Sequence, residues 1–165
     1  MIDGIEITTL KQMHDDRGAV FHMLRSDTGM LDNVAEIYFS IINPGVIKGW
    51  KQHKTMHMRL AVPKGKLKFV MYDERENSPT KGVIQEIEAG ENESDYKLIN
   101  VPPLIWSSFQ CISSESAIVC NCASVLHDPA EVDLLPIENP VINEYVLPLS
   151  ETSTSELLQH YLFRK

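Results

Sequence analysis

The chain has 165 residues, enough for one domain with a substantial buried core. Its 43% hydrophobic and 23% charged residues are those of an ordinary soluble globular protein. A formal net charge of -8 argues against general nucleic-acid binding, which needs a cationic face, but leaves room for a small anion held by local Lys and Arg.

Three cysteines, Cys111, Cys120 and Cys122, are too few and too odd in number for a disulfide framework. Cys120 and Cys122 share one face of an apolar strand, so buried reduced thiols are the expectation. The opening MIDGIEITTLKQ lacks the basic start and apolar core of a secretory signal. No window approaches the ~20 apolar residues of a bilayer span. The expected setting is the cytoplasm, with no membrane partner.

Short apolar runs recur at roughly ten-residue intervals, broken by Gly, Pro, Asn and Asp. The spacing predicts strands over 4–10, 18–24, 35–42, 46–50, 57–62, 67–72, 83–89, 96–101, 107–113, 117–123 and 145–147. Leu67, Phe69 and Met71 alternate with polar or outward positions, which marks one face of a strand as core. Asn43-Pro44-Gly45 and Pro63-Lys64-Gly65 are turns, because Pro presets φ and Gly tolerates a positive one. Residues 128–148 are proline-spaced and read as extended chain over the surface. Ser153 followed by Glu156 matches a capping box, and Leu157, Leu158, Tyr161 and Leu162 then predict a short C-terminal helix over 153–163. Many short strands and one helix make an all-β single domain over 1–165.

The segment from Asn43 to Gly82 carries the chemistry. Lys48, Lys51, His53, His57 and Arg59 stand where a plain structural strand would be apolar. On a strand Lys51 and His53 share a face, with Arg59 on the next strand. A lysine serves as a base if burial and like charges lower its pKa, and imidazole suits general acid–base work. Each also has a structural reading: a solvated Lys on an edge strand, or a His at the rim of the fold. Trp50 and Trp106 read as core or pocket wall, Asp73 as a turn cap, and Arg75 as the partner of its acidic neighbours.

Four stretches in order carry a resemblance: Asp16-Arg17-Gly18, Asn43–Trp50 (NPGVIKGW), Tyr72–Gly82 (YDERENSPTKG) and Val101–Phe109 (VPPLIWSSF). Together they resemble dTDP-4-dehydrorhamnose 3,5-epimerases, the sugar-nucleotide epimerase branch of the cupin superfamily. The resemblance covers about residues 5–148. It implies a cupin-type β-jelly roll, a homodimer made by exchanging N-terminal strands, and a nucleoside-diphosphate 4-keto-6-deoxy sugar as substrate. It also implies a place in deoxysugar and surface-polysaccharide (O-antigen) biosynthesis. The chemistry is enolisation: a C4 ketone acidifies the C3 and C5 protons, a base removes one, and an acid returns it on the other face. No metal or redox cofactor is required.

In relatives the base is a His directly after Gly-Trp, where this chain has Lys51; His53 follows two places on. The family's late-strand Tyr acid falls on Asn121, and a second Tyr, before Asp-Pro, falls on His127. Its His-Gly before Phe is Ser107-Ser108. Lys51, His53 and His127 are therefore the catalytic candidates. Arg17, Lys48, Arg59, Ser107 and Asn121 are the substrate-binding candidates. A metal cupin is the poorer fit, since His53-x-x-x-His57 has no following Glu and Ser107 takes the late His position. The expected reaction is epimerisation at C3, or at C3 and C5. A 3,4-ketoisomerase and a catalytically inactive sugar-nucleotide-binding cupin are the alternatives.

Overall fold

The computed structural model describes residues 1–31 and 33–137, and among these it is almost wholly antiparallel β. The strands are β1 (Glu6–Thr9), β2 (Gln12–Asp15), β3 (Gly18–Phe21), β4 (Glu36–Ile42), β5 (Ile47–His53), β6 (Met58–Lys64), β7 (Lys66–Asp73), β8 (Ile84–Gly90), β9 (Lys97–Val101), β10 (Ile105–Cys111), β11 (Ala117–Ala123) and β12 (Val132–Leu134). Two five-stranded sheets, in the orders β1-β9-β6-β11-β4 and β12-β5-β10-β7-β8, face each other, and β2-β3 forms a separate hairpin. This is the jelly roll expected from the sequence. The proposed strand at 145–147 and the helix at 153–163 lie outside the described residues.

Period-two alternation decides what fills the space between the sheets. Leu67, Phe69 and Met71 of β7 are fully buried there against Met58, Leu60 and Val62 of β6 and Val119 of β11. Burial of each such side chain contributes about 1.5–3 kcal/mol. The second sheet also buries part of its outer face. Its outer side holds Trp50, Val70 and Trp106, packed with Leu135 from the chain that follows β12. Gly49 permits this cover, because a Cβ there would meet Ile137 Cγ1 at 3.0 Å. The segment read as surface chain from residue 128 thus contributes a strand, β12, which pairs with β5. The other unforeseen strand, β2, has the sequence QMHD, with no apolar alternation to announce it.

The tightest turn falls at Gly65, between β6 and β7. Its φ is +70°, and a Cβ would lie 2.8 Å from Ala117 Cα. Only glycine meets both conditions. The three thiols are free and buried, and burial pushes the Cys120 thiol up to about 12.

Candidate active site

Strand β5 delivers the cationic groups, and a bulge decides where they point. Ser107 of β10 stands opposite both Lys51 and the core residue Met71, whereas Phe109 stands opposite Lys48 and the core residue Phe69. Directly opposed residues share a sheet face. Lys48 and Lys51 are three apart, which on a regular strand would put them on opposite faces. Two residues, Gly49 and Trp50, oppose one, Ser108, and this bulge puts both lysines on the face of the sheet that Met71 and Phe69 occupy, Lys48 half-buried and Lys51 exposed. Ser108 Oγ donates to the Lys48 carbonyl at 2.9 Å and Ser107 Oγ to the Lys51 carbonyl at 3.3 Å, pinning the bulge. Burial, and then the charge of Lys51, lower the pKa of Lys48. Among the described residues neither lysine forms an ion pair.

His53 closes the same strand and is only 7% exposed. Its Nδ1 lies 2.6 Å from Glu131 Oε2. Glu131 Oε1 in turn accepts the backbone N–H groups of Thr55 at 2.7 Å and Met56 at 2.8 Å. Desolvation works against this carboxylate, but the His53 hydrogen bond and the two amides outweigh it and bring its pKa down to about 2. Glu131 sits where a 3-10 turn, Pro129–Glu131, is capped by the Asp128 side chain. A carboxylate so fixed orients the imidazole and leaves Nε2 without a partner among the described residues.

The facing wall comes from the first sheet. Asn121 is buried and stands opposite Tyr38 of β4 and Leu60 of β6. Its Oδ1 accepts the Arg59 N–H at 3.0 Å, and its Nδ2 donates to the Tyr38 hydroxyl at 2.8 Å. The half-buried Tyr38 phenol therefore accepts one bond and keeps its own proton to give. Sequence reasoning passed over both Glu131 and Tyr38. The alternation of Tyr38 with Ser40 and Ile42 signals the inward face of β4, but nothing local ties Glu131 to a histidine 78 positions away.

Several candidates fall elsewhere. Arg59 is the main correction: Met58 and Leu60 take the inward positions of β6, so the Arg59 side chain projects from the opposite face of the sheet, away from Lys48 and Lys51. His53 and His57 do not share one strand, because β5 ends at His53 and β6 starts at Met58; His57 lines a cavity behind the first sheet. Among the described residues no three His, Cys, Asp or Glu side chains cluster as metal ligands. His127 is exposed, and its backbone N–H bonds Glu36. Arg17 sits at the tip of the β2-β3 hairpin, paired with Asp15 at 2.6 Å and 84% exposed. Ser107 is buried beside Lys51, in keeping with its place in the bulge.

The stretch from Asp73 to Thr80, within the block that carries the resemblance, makes a turn of its own. The fully buried Asp73 carboxylate receives Arg75, Ser78 and Thr80. Arg75 and these hydroxyls together hold its pKa far below the carboxylate range against the cost of burial. Arg75 also reaches the Asp3 carbonyl at 2.7 Å, fastening the N-terminus. This motif builds the frame.

The dTDP-4-dehydrorhamnose 3,5-epimerase family model matches residues 1–156. The chain belongs to that family. Among this epimerase family's relatives, a probable low-salt glycan biosynthesis epimerase of Haloferax volcanii is 30% identical over 134 residues, covering 80% of this chain and 85% of the relative. A spore coat polysaccharide biosynthesis protein of Bacillus subtilis is 27% identical over 133 residues, covering 81% and 87%. The crystal structure of a dTDP sugar isomerase from Desulfovibrio desulfuricans superimposes with a TM-score of 0.82 at 35% identity, covering 86% of this chain and 89% of that one. In this epimerase-family jelly roll Lys48, Lys51 and His53 belong to β5 of the second sheet, Lys51 exposed and His53 buried, and Tyr38 and Asn121 belong to β4 and β11 of the first.

Proposed function

We propose that this chain epimerises C3 of a nucleoside-diphosphate 4-keto-6-deoxyhexose in surface-glycan biosynthesis. The observation that carries the reading is the distribution of groups across the two sheets. Inversion of a carbon through an enolate needs a base on one face of the sugar ring and a proton donor on the other. The second sheet supplies His53, oriented by Glu131, and the first supplies Tyr38, held by Asn121.

His53 Nε2 takes the C3 proton, and its electron pair moves to the C4 oxygen as the enolate. Lys48, half-buried, and Lys51, exposed, form no ion pair among the described residues and stabilise that oxygen and the diphosphate. Tyr38 returns a proton to C3 from the other side. Water then removes the proton from His53 and restores the one on Tyr38, so the cycle needs no other reactant. Tyr38 takes the donor's part expected of His127, which is exposed and tied through its backbone N–H to Glu36. One donor on the first sheet favours one carbon over two.

The reading includes a homodimer, for which the support is the outer side of edge strand β4. There Ile37, Phe39 and Ile41 are 59–66% exposed, a stripe too apolar for an edge left in water. Sedimentation tests it. A reducing cytoplasmic setting is supported by the three free thiols.

The decisive experiment incubates the protein with dTDP- and CDP-linked 4-keto-6-deoxyglucose and resolves the product by NMR. An inverted C3 with the ketone still at C4 is expected. A ketone moved to C3 would identify a 3,4-ketoisomerase, and tight binding without turnover a binding protein.

A further inference from the structure

Among the described residues Leu104 is the one non-glycine with a positive φ, +63°. Leucine resists this left-handed region because its Cβ crowds the following carbonyl, and Gly, Asn or Asp ordinarily fill it. Burial does not offset the cost, since the residue is 44% exposed. Its neighbours dictate the turn. Pro103 fixes the approach, and the buried Ile105 and Trp106 are committed to opposite faces of the second sheet. Backbone strain of this kind persists only where the surroundings over-determine it, and it gathers at functional sites.

Both peptide groups of Leu104 reach the end of β5. Its N–H donates to the His53 carbonyl at 2.7 Å, and its carbonyl accepts Gln52 Nε2 at 3.2 Å. The regular ladder between β10 and β5 stops one residue short of His53, with Trp106 opposite Gln52. The bond from Leu104 therefore extends the hold of the second sheet to His53 itself. On the other side Val132 of β12 stands opposite His53, and Glu131 holds the imidazole Nδ1 at 2.6 Å. A relaxed Leu104, with an ordinary negative φ, swings one of its peptide groups away from β5 and leaves His53 supported from the β12 side alone.

We propose that Leu104 is a positioning residue for His53. Its left-handed backbone grips the last carbonyl of β5 while Glu131 grips the ring, and the two together fix where the imidazole stands. The inference rests on the proposed use of His53 as the base. Because the backbone carries the role, the tolerance of each substitute for positive φ sets the outcome.

Turnover of the dTDP- and CDP-linked 4-keto-6-deoxyglucose, followed by NMR in a substitution series, tests this. Leu104→Val puts a β-branched residue where positive φ is least tolerated, and kcat is expected to fall about ten- to a hundredfold with KM within about twofold. Leu104→Asn and Leu104→Gly enter the left-handed region readily and are expected to rescue kcat. Gln52→Ala leaves φ alone and frees the Leu104 carbonyl, and is expected to lower kcat about threefold; it carries the test if Leu104→Val does not fold. Long-range ¹H–¹⁵N spectra of the His53 ring, taken at about pH 9 without substrate, give a second readout. In the wild type Nδ1 carries the proton, as its place against a carboxylate requires, and Nε2 is bare. Leu104→Val is expected to mix the two tautomers and Leu104→Asn to restore the wild-type pattern. Three results overturn the proposal: kcat unchanged in both Leu104→Val and Gln52→Ala; KM raised by Leu104→Gly but spared by Leu104→Val, which makes the side chain a substrate contact; or a ring spectrum that no substitution alters, which makes the turn purely structural. A wild type that leaves the keto sugars unchanged refutes the catalytic reading instead, and the ring spectrum then decides whether Leu104 positions His53.

Discussion

Replacing Glu131 with Gln removes the charge that orients His53 while keeping an oxygen for the Thr55 and Met56 amides. The carboxylate is 10% exposed, and its pKa falls from an ordinary 4.5 to about 2. At 1.36 kcal/mol per pH unit that gap corresponds to about 3 kcal/mol of preference for the ionised form in the folded state. A depressed folded-state pKa contributes stability that is fully present above the unfolded value. It is lost as pH falls from about 4.5 toward about 2. The Gln variant lacks this dependence. Urea unfolding across that range is therefore expected to find Glu131→Gln less stable by up to about 3 kcal/mol near neutrality, with the difference closing as the wild-type carboxylate is protonated. A difference that stays constant with pH, or none near neutrality, would refute the argument that the charge itself fixes the dyad.

Tyr38→Phe deletes the proposed donor without changing the packing volume, and kcat for C3 inversion is expected to fall by about 10²–10⁴. An unchanged rate by NMR assay would return the donor's role to another group. Lys51→Gln is expected to cost about 10²–10³ in kcat. It is also expected to raise the pKa of Lys48, since Lys51 lowers it, and titration of the Lys48 ε-carbon signal checks the sign. Asp73→Ala leaves Arg75 without its carboxylate and releases Ser78 and Thr80. Breaking a buried pair of this kind costs about 3–5 kcal/mol, readable as a lowered thermal midpoint, and a loss under about 1 kcal/mol would contradict the assignment of this motif to the frame.

The all-β architecture was legible because inner positions alternate, as in Leu67-Phe69-Met71, and because turns such as Gly65 carry their own chemistry; the jelly roll itself came from the family resemblance. β12 was not legible. Its three residues, VDL, owe their strand to pairing with β5 far away in sequence. The site divides in the same way. Lys48, Lys51 and His53 stand out by composition, whereas Asn121 was singled out by the family resemblance alone. That Lys48 shares a face with Lys51 depends on a bulge, and a bulge is set by the partner strand. Arg59 shows the reverse: its type suggested the cavity, while the phase of Met58 and Leu60 sends it behind the sheet. The two orienting contacts, Glu131 to His53 and Asn121 to Tyr38, span 78 and 83 residues, and no local pattern encodes them.

The central claim is that His53 and Tyr38 act on one sugar ring from opposite sheets. Deuterium wash-in at C3 of the 4-keto sugar in D2O, followed by NMR in the wild type, His53→Gln and Tyr38→Phe, tests it most directly. The wild type should incorporate deuterium with inversion, His53→Gln should incorporate none, and Tyr38→Phe should exchange the C3 proton while retaining configuration. Undiminished exchange with inversion in His53→Gln would contradict the account.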